Sequence, residues 1–177
     1  AAAAEVRIDT HVFVDDAESP EYENVTLFQR RVVYYFLGDK GGEITIYDPH
    51  VRRFILLDTD RRVKTEIGED VLLQFVAELK LLAAKSGGPA VREAAAPEFR
   101  AKYDESSKTL SLSGKRLEYV ARASELSFPN PDAMRDYFNF VDMYTRLNAT
   151  RKGAMPPHAR LELNQALAEH TIFPASI

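Results

Sequence analysis

The feature that most constrains the fold is a dense series of short strand-like runs between residues 25 and 67. Each run is rich in β-branched and aromatic residues and ends at turn residues or charges; the runs are 25–28, 31–37, 43–47, 54–58 and 63–67. The connections hold only a few residues, such as Asp48-Pro49-His50. Parallel strands need a crossover of a dozen or more residues, so this spacing predicts antiparallel hairpins arranged as a meander.

Strand-like patterns also occur on both sides of this series. Residues 5–14 alternate between apolar and polar positions, with Val6, Ile8 and Val12 on one face, which indicates a half-buried strand. Three shorter runs, 99–103, 109–112 and 117–120, are separated by turn residues and predict a second, shorter meander. The chain therefore predicts seven to nine strands in total.

Helical periodicity appears in the middle and in the last third of the chain. The predicted helical segments are 70–85, a short one at 90–96, one from an Asn130 cap to about Gly153, and one from Pro156 to about His170. Gly87 stands where a left-handed C-cap would end the first of these helices. Residues 171–177 show no periodicity and predict a loose or docked tail.

These elements predict an α+β fold, in which a curved antiparallel sheet, a half-barrel meander, packs with three to four helices. The length of 177 residues suits a single domain spanning residues 1–177, with a sheet-rich part at 5–123 that contains helix 70–85 and a helical part at 130–170. The runs at 31–37 and 54–57 are apolar on both faces, so we expect elements to pack on both sides of these strands.

Composition excludes several classes of function. The chain has no cysteine, which rules out disulfides, thiolate metal sites and a cysteine nucleophile. Its net charge of −4 argues against nucleic acid as a partner, because phosphate binding needs a basic surface. No apolar run of about 18 residues is present, so we expect no membrane span. Ala1 to Ala4 suit either a cloning scar or the remnant of a removed export signal.

One segment invites a metal-site interpretation. Residues 8–13, Ile-Asp-Thr-His-Val-Phe, look like the opening strand of metal-dependent amidohydrolases, in which two histidines two positions apart face one metal. Phe13 occupies the second histidine position, and the chain is too short for that family's barrel. A solvated polar strand face is therefore the favoured interpretation, and a small metal-dependent hydrolase using Asp9 and His11 stays an alternative. We predict no catalytic residue and no cofactor.

Arginine pairs mark three hairpin ends, at 30–31, 52–53 and 61–62. Protection of sheet edges and solvation of turns explain such pairs in most proteins. The functional alternative is a docking surface for an anionic partner, such as lipid headgroups or an acidic protein.

The chain resembles the LolA-like group of bacterial envelope proteins in the order of its segments 44–49, 53–58 and 63–67. In those proteins a strand ending in Tyr-x-Pro or Asp-Pro is followed by the next strand of a half-barrel. The similarity spans about residues 25–85. It implies a curved antiparallel sheet wrapped around helices, with an apolar groove that holds acyl chains in several relatives. It also implies a location in the periplasm or cell envelope, the cytoplasm being the alternative.

We therefore expect an apolar groove on the concave face of the sheet. The inward-pointing strand residues are predicted to be Tyr34, Phe36, Ile46, Phe54 and Leu56, and the helical residues covering them Leu72, Phe75 and Leu79. The predicted function is that of a non-enzymatic envelope protein whose groove binds a fatty-acyl chain, another lipid or a lipidated partner such as a lipoprotein. The alternative is an interaction or scaffold module with a filled core that acts through its surface.

Overall fold

The structure is a computed structural model that describes residues 6–15, 17–38, 42–126, 128 and 131–177. The predictions on Ala1 to Ala4 and on the Asn130 cap lie outside these residues. The fold is α+β, as predicted, and its described part contains two antiparallel sheets and four helices. None of the described helices combines the length and the hydropathy that a membrane crossing requires.

The described residues form six strands before the first helix and four after it. The elements are β1 (Val6–Val12), β2 (Tyr22–Gln29), β3 (Val32–Leu37), β4 (Glu43–Asp48), β5 (Arg53–Asp58), β6 (Val63–Gly68), α1 (Glu69–Ser86), α2 (Pro89–Ala95), β7 (Arg100–Asp104), β8 (Thr109–Ser113), β9 (Glu118–Ala123), α3 (Pro131–Asn148), α4 (His158–Glu169) and β10 (Pro174–Ser176). Each predicted strand and helix is present within a few residues of its expected bounds. The number of strands exceeds the predicted seven to nine, because the tail adds β10.

The chain divides into two compact units, Ala1–Val71 with Pro129–Phe140, and Leu72–Phe128 with Val141–Ile177. The first unit holds the six-stranded sheet and the first half of α3. The second unit holds most of α1, the helices α2 and α4, the four-stranded sheet and the second half of α3. The prediction of a single domain stays a prediction.

The six-stranded sheet of the first unit is an open meander in the order β1-β2-β3-β4-β5-β6. Its buried face carries the side chains of Phe28, Val33, Tyr35, Tyr47 and Phe54. Within this unit the element packed on that face is α3. The ring of Phe140 lies 6.0 Å from that of Phe28, at right angles to it, and 6.2 Å from that of Tyr47. Aromatic rings in such offset or edge-on arrangements stabilise a core beyond the area they bury.

The strand register corrects the predicted groove. Tyr34 pairs with Ile46, and both stand one position away from the row formed by Val33, Tyr47 and Phe54. Because successive side chains of a strand point to opposite faces, Tyr34, Phe36 and Ile46 lie on one face of the sheet, and Phe54 and Leu56 lie on the other. The expectation that these five residues point inward together is wrong.

The arginine pairs at all three hairpin ends include a residue of positive φ, and the pair between β2 and β3 has two. Arg30 and Arg31 form the two-residue loop between β2 and β3, and both have positive φ, 51° and 70°. This geometry suits the twist of a hairpin but is normally supplied by Asn-Gly. Arg31 nevertheless reaches the buried Asp136 of α3, with 3.6 Å between Nε and Oδ2. The left-handed turn therefore orients an ion pair between the sheet and the helix that covers it.

A second polar cluster joins the β4–β5 turn to the start of α1. Tyr47 donates its hydroxyl to Glu69 Oε1 at 2.6 Å, and Arg52 donates Nε to Glu69 Oε2 at 2.8 Å. Burial, followed by the hydrogen bond to Glu69, raises the pKa of the Tyr47 phenol well above its usual range. Arg53 pairs with Glu66 and Arg61 with Asp58. These arginines thus have partners within the chain.

The four-stranded sheet of the second unit follows the order β10-β9-β8-β7. Leu110, Leu112 and Ala121 are its buried side chains. Residues 171–177, predicted as a loose or docked tail, contribute β10, which pairs with β9.

The backbone of Gly87 does not have the left-handed conformation that the predicted C-cap requires. A β-carbon there would lie 2.6 Å from the Ala83 carbonyl oxygen, so close approach of backbone requires this glycine.

Candidate functional site

The second unit contains a cavity of about 700 Å³. Small-molecule sites in proteins have volumes of roughly 300 to 1,000 Å³, so this space is large enough for a ligand. Five segments form its walls: α2 with the connection to β7, the β8–β9 turn with the start of β9, the second half of α3, the loop before α4, and the start of α4.

Most of the lining is apolar, aromatic or small. The residues of this kind are Ala90, Ala94, Pro97, Phe99, Gly114, Leu117, Tyr119, Val141, Tyr144, Ala149, Ala154, Met155, Pro156, Pro157 and Ala159. Glu93, Glu98, Arg116, Thr145, Asn148 and Arg160 are the polar members. A lining that is mainly apolar, with a few placed polar groups, is the usual composition of a site that binds an organic ligand.

The aromatic wall is built where the connection to β7 meets β9. The ring of Phe99 lies 5.9 Å from that of Tyr119 in an edge-on arrangement. Gly114 packs closely against the ring of Phe99, since a β-carbon there would lie 3.1 Å from that ring. Burial raises the pKa of the Tyr119 phenol, and the positive charge of Arg160 acts in the opposite direction. The phenol therefore stays protonated at neutral pH and can donate a hydrogen bond.

One wall carries an ion pair that fixes the β8–β9 turn to α2. Glu93 accepts a hydrogen bond from the backbone N–H of Arg116 at 2.9 Å, and its other oxygen lies 3.3 Å from Arg116 Nε. Both oxygens of this carboxylate are thus engaged with Arg116. Glu98 pairs with Lys115 at 3.2 Å, and both of these side chains are largely exposed.

The start of α4 places a guanidinium in the lining. Arg160 donates Nε to Oδ1 of Asn164 at 3.1 Å, one helical turn further along. Asn164 is only 3% exposed, and its amide nitrogen lies 3.3 Å from Thr145 Oγ1 and 3.4 Å from the Val141 carbonyl oxygen. Thr145 in turn donates its hydroxyl to that carbonyl at 2.7 Å. A buried network that spans α3 and α4 therefore orients Arg160.

His158 opens α4 between the lining residues Pro157 and Ala159. Its Nδ1 is buried and has no hydrogen-bond partner within the described ranges. Burial first, and then the positive charges of Lys80 and Arg146, lower the pKa of this imidazole. The folded state thus favours the neutral ring.

The lowered pKa of His158 predicts a pH-dependent stability. The imidazole of the unfolded chain binds a proton at about the ordinary histidine pKa of 6.5, and that of the folded chain binds it only at lower pH. Stability is therefore lost as the pH falls from about 6.5 towards the lower pKa of the folded state. We expect a His158→Gln variant to show a smaller drop in melting temperature between about pH 7.5 and pH 5 than the parent chain. An identical drop in both proteins would contradict the assigned role of His158.

The eight predicted groove residues lie elsewhere. None of them lines this cavity, and the five strand residues belong to the first unit, whereas Leu72, Phe75 and Leu79 belong to the second. Leu72 is fully buried, and Phe75 and Leu79 are half-buried. A role of these residues in ligand binding stays a prediction.

Asp9 and His11 share the polar face of the edge strand β1. Arg7 donates Nη2 to Asp9 at 2.7 Å, and this hydrogen bond is the main cause that lowers the pKa of the carboxyl. His11 Nε2 lies 3.5 Å from Glu23, and both side chains are exposed. No group of three histidine, cysteine, aspartate or glutamate side chains in the described part of the chain is placed to hold a metal ion.

The cavity was not predicted from the sequence, although weak signals for it exist. Breaks at Gly87-Gly88-Pro89, Pro97 and Pro156-Pro157 interrupt the second unit several times, and α2, between the first two of them, is rich in alanine. Short helices with small side chains leave space that longer apolar residues would fill.

Comparison of the chain with protein-family models, with curated proteins and with solved structures finds no match. The resemblance to the LolA-like group stays a prediction.

Proposed function

We propose that the protein is a non-catalytic binding protein whose ligand is an apolar chain of the acyl type, held in the cavity of the second unit. The observation that carries this proposal is the cavity itself, about 700 Å³ in volume and lined mainly by alanine, proline, aliphatic and aromatic side chains. Burial of an apolar chain supplies roughly 0.8 kcal/mol for each methylene group removed from water, which is sufficient for micromolar affinity.

The proposed ligand belongs to the class predicted from the sequence, but its site is the cavity of the second unit instead of a groove on the six-stranded sheet. The concave-face groove was expected on the six-stranded sheet, where the rings of α3 pack against Phe28, Tyr35 and Tyr47. Location in the periplasm or cell envelope and a lipidated partner rest on the resemblance to LolA-like proteins. The resemblance is the one reason for including this location and this partner in the proposal.

The first experiment is a ligand search by native mass spectrometry after gentle purification, paired with titration of a fluorescent fatty acid. We expect a mass increment of one acyl ligand per chain, or saturable one-to-one binding at micromolar concentration, with displacement by an unlabelled fatty acid. Absence of both a bound mass and saturable binding would overturn the proposal.

A surface-acting interaction module is the second candidate. The observation favouring it is the other face of the six-stranded sheet, which carries the half-buried apolar side chains of Tyr34, Phe36, Ile46, Ile55 and Leu57. Apolar patches of this kind on a sheet mark interaction sites in many proteins. A chain that binds no acyl ligand would favour this candidate.

A further inference from the structure

We propose that β6 is a dimer interface, at which the strand pairs antiparallel with β6 of a second copy of the chain across a two-fold axis. The six-stranded sheets of the two copies then form one continuous sheet. The basis is the sequence of β6, Val-Lys-Thr-Glu-Ile-Gly, whose first five residues complement themselves in charge and shape when the strand is read in the opposite direction. This interface belongs to the first unit, whereas the cavity belongs to the second.

The strand β6 forms one edge of its sheet, and in the described part of the chain it pairs with β5 alone. The N–H of Glu69, directly after β6, donates to the carbonyl oxygen of Arg52, directly before β5. Backbone groups of successive strand residues point to opposite sides, so Thr65 bonds to β5 in the same way as Glu69. The N–H and C=O groups of Lys64 and Glu66 therefore point away from β5, towards the open edge.

These outward-facing residues restrict the register in which two copies of β6 can pair. With Thr65 on the two-fold axis, Lys64 of each copy lies opposite Glu66 of the other, and the two residues exchange both backbone hydrogen bonds. An axis at Lys64 or at Glu66 would instead place like charges directly opposite one another, which destabilises a strand pair. Charge complementarity thus selects a single register.

The side chains of Lys64 and Glu66 are available for this pairing. Within one copy Lys64 Nζ lies 2.5 Å from Glu66 Oε1, and the two side chains are 56% and 37% exposed. In the dimer they form a row in which positive and negative charges alternate. A lysine on an edge strand normally prevents pairing with other chains. In β6 it does so in every register except the one in which it meets Glu66.

Apolar side chains complete the match on the other face of the strand. Ile67 lies opposite Phe54 in the β5–β6 ladder, so Ile67 and Val63 share the face of the buried Phe54. Val63 is nevertheless 52% exposed. In the dimer Val63 of each copy lies opposite Ile67 of the other, and Thr65 lies opposite Thr65. Such cross-strand pairs of β-branched residues stabilise a sheet.

The opposite edge of the sheet, β1, is less suited to this role. The apolar side chains of Val6, Ile8 and Val12 on β1 are half-buried within one copy, so pairing there would bury less new apolar surface than at Val63. Pairing of β6 with itself closes at two copies, whereas pairing of β6 with β1 would build an open filament.

The test exchanges charges in the full chain and measures the mass in solution by sedimentation equilibrium between about 1 and 100 µM. We expect the parent chain to be dimeric at the upper concentration and to dissociate on dilution, because a pair of strands buries less surface than a standard interface. Lys64→Glu and Glu66→Lys each place like charges opposite one another. Each variant alone should therefore dimerise at least about tenfold more weakly than the parent chain.

An equimolar mixture of Lys64→Glu and Glu66→Lys is expected to recover the dimer. In the mixed pair every charge at these positions again faces its opposite, although neither chain pairs well with itself. Asp9→Lys is the matched charge change on β1, and it should dimerise like the parent chain.

Lys64→Pro tests the backbone contribution without introducing repulsion. Proline removes the N–H of residue 64, which points away from β5, so the β5–β6 ladder stays intact while a hydrogen bond between the copies is lost. We expect weaker dimerisation with an unchanged far-ultraviolet circular dichroism spectrum.

Each of the remaining outcomes would overturn the proposal. A parent chain that is monomeric at about 100 µM would leave this edge to an extended segment of another protein. A dimer that persists unchanged in Lys64→Glu, Glu66→Lys and Lys64→Pro would place the interface elsewhere, and loss of the dimer in Asp9→Lys alone would assign it to β1. Folded single variants that stay monomeric when mixed would exclude the register centred on Thr65.

Discussion

Replacement of Phe54 by alanine is expected to lower the free energy of unfolding by about 3 to 5 kcal/mol. Phe54 has no exposed surface, and its ring stacks on that of Tyr47 with 4.7 Å between the centroids. Truncation removes the transfer free energy of the ring and leaves a cavity under a sheet whose hydrogen bonds prevent it from collapsing. Denaturant titration, followed by far-ultraviolet circular dichroism, measures the change.

Phe13→Ala is the matched control for this experiment. Phe13 is 51% exposed and lies just beyond the end of β1, so its loss should change the stability by less than about 0.5 kcal/mol. A cost below about 1 kcal/mol for Phe54→Ala would show that β5 does not form part of a packed core. A comparable cost for both variants would point to a general effect of aromatic truncation rather than to burial.

The presence of the first six strands, and the order and pairing of β2 to β6, could be predicted from the sequence because local signals determine them. Short connections such as Asp48-Pro49-His50 leave room only for hairpins, and β1 to β6 indeed pair in sequence order. The helices α1, α3 and α4 follow from apolar periodicity in the same way. These features depend on neighbouring residues, which a single sequence displays.

The face of the sheet that is buried could not be predicted in this way. In β4 the strongly apolar Ile44 and Ile46 are half-buried, whereas Thr45 and Tyr47 point into the core. β2 is similar, since Thr26 is buried and Leu27 is not. Hydropathy therefore favours the wrong face in both strands. The inner face is selected by aromatic packing against α3, which is about a hundred residues away in the sequence.

The cavity depends on the same kind of long-range information. Its walls come from α2, the β8–β9 turn with the start of β9, the second half of α3, the loop before α4 and the start of α4, and none of these segments shows a binding motif alone. The strand β10 was missed for a related reason. It has three residues and begins with Pro174, which is tolerated at a sheet edge but weakens any strand signal.

Filling the cavity is expected to abolish ligand binding while leaving the fold intact. Ala94 lies on α2, is partly exposed and lines the cavity, so the larger side chain of Ala94→Phe has space to enter it. We expect the affinity for a fatty acid to fall by at least about tenfold, because the ring occupies the volume in which the apolar chain would be buried. The melting temperature should stay the same or rise, since filling a cavity adds apolar contacts without displacing packed groups.

Ala77→Phe provides the matched substitution outside the cavity. Ala77 is exposed on α1 and does not line the cavity, so its replacement adds the same ring to a helix of the same unit without entering the site. Both variants are compared with the parent chain in the fluorescent fatty-acid titration and in thermal unfolding. Unchanged affinity in a folded Ala94→Phe variant would place the ligand outside this cavity. Equal losses of fatty-acid affinity in both variants would mean that the effect does not arise from the cavity. A loss of affinity in Ala94→Phe alone is the result that assigns the site.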